Sequence, residues 1–345
     1  MATTKLLNIP QLDGVRAIAA IMVMLFHFTQ DYPLVNYPIV QKASFIGQTG
    51  VALFFVLSGF LITRILITSK SSENYYRNFY IRRALRIFPL YYFFLFLYFF
   101  VLNPLVFKHQ WPFYFYFQNI VMTFHDTLDG PRHLWSLAVE EHFYLIWPFL
   151  VYIIDIKHLK KWLISLITLT FVVRVIMYQQ GYPLFYFTLS RLDDLCLGAL
   201  LAVLYIQKDS ILKIFQSSYY FPLFAGFILC FFTLWYFTKD STPEIMQVLR
   251  YFFVGFIYFL LMGFVIYDNG KLSVLLKNES LVYIGKISYG IYVYHPIVFE
   301  LCKKYLCSKM MLVNLLSHFA ISILVASLSY HLIEVQFLKL KRYFN

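Results

Sequence analysis

The sequence predicts an all-α integral membrane protein: a bundle of about ten transmembrane helices with both termini in the cytoplasm. Three observations carry that expectation. The 345 residues are 61% hydrophobic and only 13% charged, with a mean hydropathy of +0.67, where a soluble domain carries about 25% charge. Apolar runs of about 20 residues, the length needed to cross a hydrocarbon core, recur along the whole chain. Lysine and arginine gather in alternate loops between those runs, as the positive-inside rule requires of a multi-pass protein.

Taken in order, the runs are 9–29, 45–67, 87–107, 135–154, 162–178, 189–206, 219–237, 248–267, 287–306 and 312–334. The first is preceded by a single cation, Lys5, and its Ala17-Ile18-Ala19 triplet comes before the apolar core rather than after it. That reads as a retained helix, not a cleaved signal peptide. The third follows the cluster Arg82, Arg83, Arg86. The stretch 108–133 is the longest outer loop, too short for a soluble domain but long enough for a lid or an interfacial helix. The fifth and sixth runs are short and carry Arg174, Arg191, Asp193 and Asp194. The ninth holds His295-Pro296, where proline is expected to break or kink the helix. The tenth closes on Glu334, an anchor or a partner for an arginine. No repeat and no Pro/Gly/Ser-rich linker divides the chain, so one transmembrane domain over 1–345 is expected, with no additional soluble domain.

The loops on the N-terminal side hold 17 Lys and Arg and the opposite loops seven, which puts both termini inside. The net charge of +12 is therefore a topology signal, and no nucleic-acid motif accompanies it. The aromatic residues, 21% of the chain, read mainly as lipid-facing packing and interfacial belts. Cys196, Cys230, Cys302 and Cys307 show no metal-ligand spacing; neither a disulfide nor a metal is expected, and most of them read as small core hydrophobes.

Four constellations can carry chemistry. Arg16 and His27 sit in the first apolar run, with Asp13 just upstream. Eleven helical steps return the second side chain to within about 20° of the first, roughly 16 Å along the axis. Both therefore line one face, where a histidine can act as a general base; a helix–helix hydrogen bond is the plainer alternative. Arg82, Arg83 and Arg86 stand at the cytoplasmic mouth of the third span. Arg83 and Arg86 share a face if that stretch is helical, and guanidinium forks suit the phosphates of a donor such as coenzyme A. A topology anchor or a lipid-headgroup contact explains them equally. Glu140 and Glu141 open the fourth run about 100° apart, so one faces the interior to orient a His or an Arg and the other faces water or headgroups. Compensation of a helix N-terminus is the simpler reading. Arg191 and Asp194, three apart, pair within one helix and lean structural. Ser58-Gly59 and His295 are further candidates.

In chain order these stretches resemble a known family. The matching motifs are Leu12-Asp13-Gly14-x-Arg16 with His27 eleven residues on, Phe54-Phe55-Val56-Leu57-Ser58-Gly59-Phe60-Leu61-Ile62, and Arg83-x-x-Arg86-Ile-Phe-Pro. Trp135-Ser136-Leu137-x-x-Glu140-x-x-Phe143-Tyr144, Arg191-Leu192-Asp193-Asp194-x-x-x-Gly198 and Ile287-Ser288-Tyr289-x-x-Tyr292-x-x-His295-Pro296 complete the set. Together they are similar to the membrane-bound acyltransferase type 3 family. The resemblance implies an O-acyltransferase of about ten spans that moves an acyl group, often acetyl, from a cytoplasmic donor to a hydroxyl outside. It implies a catalytic His27, essential Arg16, Arg83 and Arg86, and the family's acid at Glu140. Many members have Glu-Glu-Gln-Phe-Tyr where this chain has Glu140-Glu141-His142-Phe143-Tyr144, which leaves the role of His142 open. Some members add an extracytoplasmic hydrolase-like domain, which is not expected here.

The resulting expectation is a bacterial inner-membrane O-acetyltransferase. Acetyl-CoA is its acyl donor, no cofactor is permanently bound, and the acceptor is a surface polysaccharide, foremost lipid-linked O-antigen of lipopolysaccharide. Membrane lipids are its surroundings. A continuous polar tunnel is expected from Arg83 and Arg86 past Arg16 to His27, opening outward beside Glu140. The alternative is a transporter or flippase for an amphipathic lipid or sugar, which also uses many spans and buried charges but is expected to show repeat symmetry.

Overall fold

A computed structural model describes residues 9–33, 41, 44–103, 107–125, 128–217, 219–238, 244–268 and 270–344, leaving aside the side chains of 107–108, 230–238 and 244–245. Lys5, Lys42 and Lys239 of the loop-charge reading, and the side chains of Lys108 and Cys230, lie outside the described residues.

Every regular element among the described residues is helical. The α-helices are α1 (Gln11–Asp31), α2 (Gly50–Ser69), α3 (Tyr75–Phe96), α4 (Phe107–Tyr114), α5 (Gln118–Phe124), α6 (Trp135–Ile153), α7 (Ile156–Gln179), α8 (Leu192–Gln207), α9 (Tyr220–Thr238), α10 (Glu244–Tyr267), α11 (Lys271–Leu276), α12 (Glu279–Tyr305), α13 (Met311–Ser329) and α14 (Val335–Lys339). Nine of the ten apolar runs lie largely in one of them, and the third is shared between the end of α3 and the π-helical stretch Leu97–Leu102. Among the described residues, six helical segments are long and apolar enough to cross a membrane: Gln11–Asp31, Phe45–Ser69, Tyr75–Leu102, Ile156–Gln179, Met246–Tyr267 and Met311–Tyr343. A seventh is added if the bent pair Leu192–Gln207 and Ser210–Gln216 is one span. The expected ten is thus reduced by these criteria. The α6 helix carries Glu140, Glu141 and His142, and α12 carries Lys286, Glu300, Lys303 and Lys304, so neither is uniformly apolar. The stretch 108–133, expected as an outer loop, contains the short helix α5 and all but the first residue of α4.

The chain forms two compact units that alternate along the sequence. Of the described residues, one unit comprises those within 52–72 and 115–273, and the other those within 9–51, 73–114 and 274–344.

In the first unit α2 and α8 cross at two glycines. A Cβ on Gly59 would run into the Leu195 carbonyl oxygen, and one on Gly198 into that of Val56. Small residues at such crossings let helix backbones approach, which is how helices associate without a hydrophobic drive between them. Beside this crossing, Arg174 of α7 is ion-paired to Asp193 of α8 and donates to the Val248 carbonyl at 2.9 Å. Gly255 of α10 leaves the room that Asp194 Oδ1 occupies. Of the four charges in the fifth and sixth runs, Arg174 and Asp193 are therefore matched across helices, while Arg191 pairs with Asp194 at the start of α8; such pairing is the usual way ionisable groups persist in an apolar bundle. α8 ends at Lys208 in the left-handed conformation (φ 51°). Asp209 then caps the next short helix by accepting from the Ile211 N–H at 3.1 Å. Together they turn the chain by 102°, and Asp209 is held there by Lys160 at 2.5 Å.

In the second unit α1 and α12 form the most extensive helix pair. They meet at Gly285, where a Cβ would strike the Asp13 carbonyl oxygen, while a Cβ on Gly14 would strike the carbonyl oxygen of Leu276 at the end of the preceding α11. Further along, His27 meets His295, so the two helices run parallel. The Tyr289 hydroxyl donates to the Ile87 carbonyl at 2.9 Å and fastens α12 to α3. Tyr294 and Ser329 (3.1 Å) and Tyr283 and Ser327 (2.5 Å) fasten α12 to α13. Two expectations are corrected here. The helix of the third run begins at Tyr75, twelve residues before the apolar run, so the arginine cluster lies inside α3 and not in a loop before it. Pro296 does not break α12, which continues for 27 residues through it; proline removes a single N–H, and packing on both α1 and α13 keeps the remaining turns in register.

Candidate functional site

The first unit gathers Ser58, Glu140, Glu141, Arg191 and Asp194. Ser58 is buried, with its Oγ 2.5 Å from the Tyr144 hydroxyl. Two of the sequence motifs thus meet, since Tyr144 ends the Trp135 motif, and Trp135 itself packs edge-on to Phe55 at 6.0 Å. Glu140 and Glu141 are both half-buried on α6. His142, whose role the sequence left open, lies with Nδ1 2.7 Å from Thr188 Oγ1. Arg191 pairs with Asp194 at 2.7 Å, as the three-residue spacing predicts. Its guanidinium also lies 4.9 Å from the Tyr251 ring centre, 5.6 Å from Phe185 and 5.8 Å from Phe55. A cation within about 6 Å of aromatic faces is attracted to them. Arg191 is therefore a packed hub of this unit.

The second unit gathers Asp13, Arg16, His27, Arg82, Arg83, Arg86 and His295. Asp13 and Arg16 are ion-paired one turn apart on α1, with about a fifth of each side chain exposed. Arg82, Arg83 and Arg86 follow one another on α3, which confirms the helical condition under which Arg83 and Arg86 share a face. The C-terminal segment joins them: Lys341 is within electrostatic reach of Arg16, Arg82, Arg83 and Arg86 alike. Tyr330 interacts in the same way with Asp13, Arg86, Tyr283 and Glu334. Four arginines and a lysine from α1, α3 and the C-terminal segment therefore form one basic end. Glu334 is buried and senses Arg86, which fits its reading as a partner for an arginine. It closes a π-helical turn, Tyr330–Glu334, a local irregularity frequent at functional sites.

His27 lies eleven residues beyond Arg16 on the unbroken α1, roughly 16 Å along it. Its ring is half-buried and stacks on the fully buried His295, with ring centres 5.0 Å apart and Nδ1 2.8 Å from His295 Nε2. The hydrogen-bond partner that the structure gives His27 is this second histidine. The sequence singles out His295 through the adjacent proline and the motif that ends on it, without pairing it to His27, and it misses Lys341 as a site residue. Lys341 was counted as one more loop cation, and nothing in its local pattern distinguishes it. Of the cysteines, Cys196 and Cys302 are buried and Cys307 is exposed.

The sequence model of the family described as Acyltransferase domain matches residues 9–331. The chain belongs to the acyltransferase type 3 family. It is 32% identical to the peptidoglycan O-acetyltransferase OatA of Listeria monocytogenes over 318 residues, 84% of this chain and 49% of that protein. It is 29% identical to the putative peptidoglycan O-acetyltransferase YrhL of Bacillus subtilis, over 94% of this chain and 54% of that one. A putative O-acetyltransferase of Staphylococcus aureus is 26% identical over 97% of this chain and 58% of its own length. The chain thus spans about half the length of these relatives. No solved structure matches it.

Proposed function

We propose that this acyltransferase-family chain is an integral-membrane O-acetyltransferase of the bacterial inner membrane, taking acetyl from acetyl-CoA and giving it to a sugar hydroxyl of a surface glycan. The observation that carries the reading is the layout of α1. One helix presents Arg16 at a basic end shared with Arg82, Arg83, Arg86 and Lys341, and three turns further presents a histidine. The basic end suits the phosphates of coenzyme A, because forked guanidinium groups bind phosphate oxygens in pairs. The roughly 16 Å to His27 is a span that an extended pantetheine arm largely covers, so the thioester is delivered to the imidazole while the charged nucleotide stays at the basic end.

In this reading His27 takes the proton of the acceptor hydroxyl. The freed oxygen attacks the thioester carbonyl, the C–S bond breaks, and the leaving thiolate recovers the proton from His27. The sequence reading favours lipid-linked O-antigen as acceptor, and the names of the relatives favour peptidoglycan. Mass spectrometry of both glycan pools, from cells with and without the gene, is the test. A mass gain of one acetyl group on one pool identifies the acceptor, and no difference in either pool overturns the reading.

The donor site has its own test. Arg86→Lys keeps the charge and loses the fork, which is not a conservative change at a paired contact. About a tenfold weaker apparent affinity for acetyl-CoA is expected, the scale of one hydrogen bond to a charged group, with membrane insertion unchanged. Unaltered affinity assigns Arg86 to topology alone.

A further inference from the structure

We infer that His295 is the positioning residue of His27, and that it sets which ring nitrogen of His27 carries the lone pair. The inference rests on the proposed role of His27 as base and adds the group that makes it one. The argument follows the protons. His295 Nδ1 is 3.0 Å from the carbonyl oxygen of Ile291, one turn back on α12. A carbonyl only accepts, so His295 Nδ1 carries a hydrogen and donates it. His295 has no solvent exposure, and a second proton would bury a charge there at high cost; its Nε2 is therefore an acceptor. The neighbour 2.8 Å away, His27 Nδ1, must be the donor. With its hydrogen on Nδ1, neutral His27 holds its lone pair on Nε2, the nitrogen turned away from His295.

The chain Ile291 C=O, His295, His27 thus has the logic of a nucleophile-activating relay, in which a third group orients the base and selects its tautomer. Here that group is a neutral imidazole rather than a carboxylate. It directs the tautomer and accepts a hydrogen bond from the protonated base, and it adds no buried charge beside the reacting centre. The parallel packing of α1 on α12, made possible by the close approach at Gly285, brings the two rings together. The stacked geometry, with the planes 26° apart, holds the His27 ring against rotation.

The test compares His295→Phe and His295→Gln with wild type and His27→Ala, in membranes assayed for acetyl transfer at equal protein abundance. Phenylalanine keeps a ring and loses the acceptor; glutamine offers an amide oxygen near the position of Nε2. The expected result is a fall in kcat of about 10²-fold for His295→Phe, the scale of a general base lost or misdirected. KM for acetyl-CoA should stay unchanged, and His295→Gln should recover most of the rate. A residue that only packs would give the opposite order, with phenylalanine the better substitute. His295→Phe at wild-type rate, or His295→Gln as inactive as His27→Ala while stably inserted, overturns the inference and leaves the role of His27 standing. Full activity in His27→Ala overturns both.

Discussion

Replacing His27 by alanine is expected to remove acyl transfer while the protein stays in the membrane at normal abundance. The loss should be about 10²–10⁴-fold in kcat, the contribution of a positioned general base. Stability should change little, because the imidazole is half-buried and alanine is a favourable helix residue. Its main structural consequence is the loss of one hydrogen bond to the buried His295, a penalty of about 1–3 kcal/mol, small beside the packing of α1 on α12. The measurement is acetyl incorporation into glycan by membranes carrying each variant, normalised to immunodetected protein. Near wild-type incorporation by His27→Ala would leave the His27–His295 contact as a helix–helix hydrogen bond and nothing more.

Arg174→Ala should have the largest effect on stability. Arg174 and Asp193 are essentially inaccessible to solvent, 1% and 0% exposed, and the arginine also donates to Val248 and lies 5.7 Å from the Tyr251 ring centre. Removing one member strands a carboxylate among α7, α8 and α10. Breaking a buried pair in this way costs about 3–5 kcal/mol, whereas replacing both members by apolar residues of similar size is often neutral. Arg174→Ala should therefore melt far below wild type in detergent, and the double variant Arg174→Met, Asp193→Leu should melt close to it. Equal melting of single and double variants would mean that Asp193 is not held by charge pairing. The four charges of this cluster would then need another explanation.

Much of the fold was legible because membrane helices announce themselves by length and apolarity, and the same periodicity relates side chains within one helix. Arg16 and His27 on one face of α1, Arg83 and Arg86 on one face of α3, and Arg191 against Asp194 all follow from 3.6 residues per turn. Span counting was less secure. A helix packed inside a bundle, such as α6 or α12, tolerates Glu140, Glu141, Lys286 or Glu300 without ceasing to be a helix. Composition then no longer separates crossing helices from other packed ones. The start of α3 was also misjudged, since arginine is a good helix former and an apolar window does not register it.

By itself the sequence determined the helical membrane class, the family, and the candidate residues one helix at a time. Tertiary structure decided which of them meet. His27 finds His295, 268 residues away, Arg174 finds Asp193, and Lys341 joins the arginines of α1 and α3. The physical reason is that helix periodicity is a local rule, set by backbone hydrogen bonds four residues apart. Contacts between helices depend instead on which backbones can approach, as at Gly14 and Gly285 or Gly59 and Gly198, and on which buried charges need one another in an apolar medium.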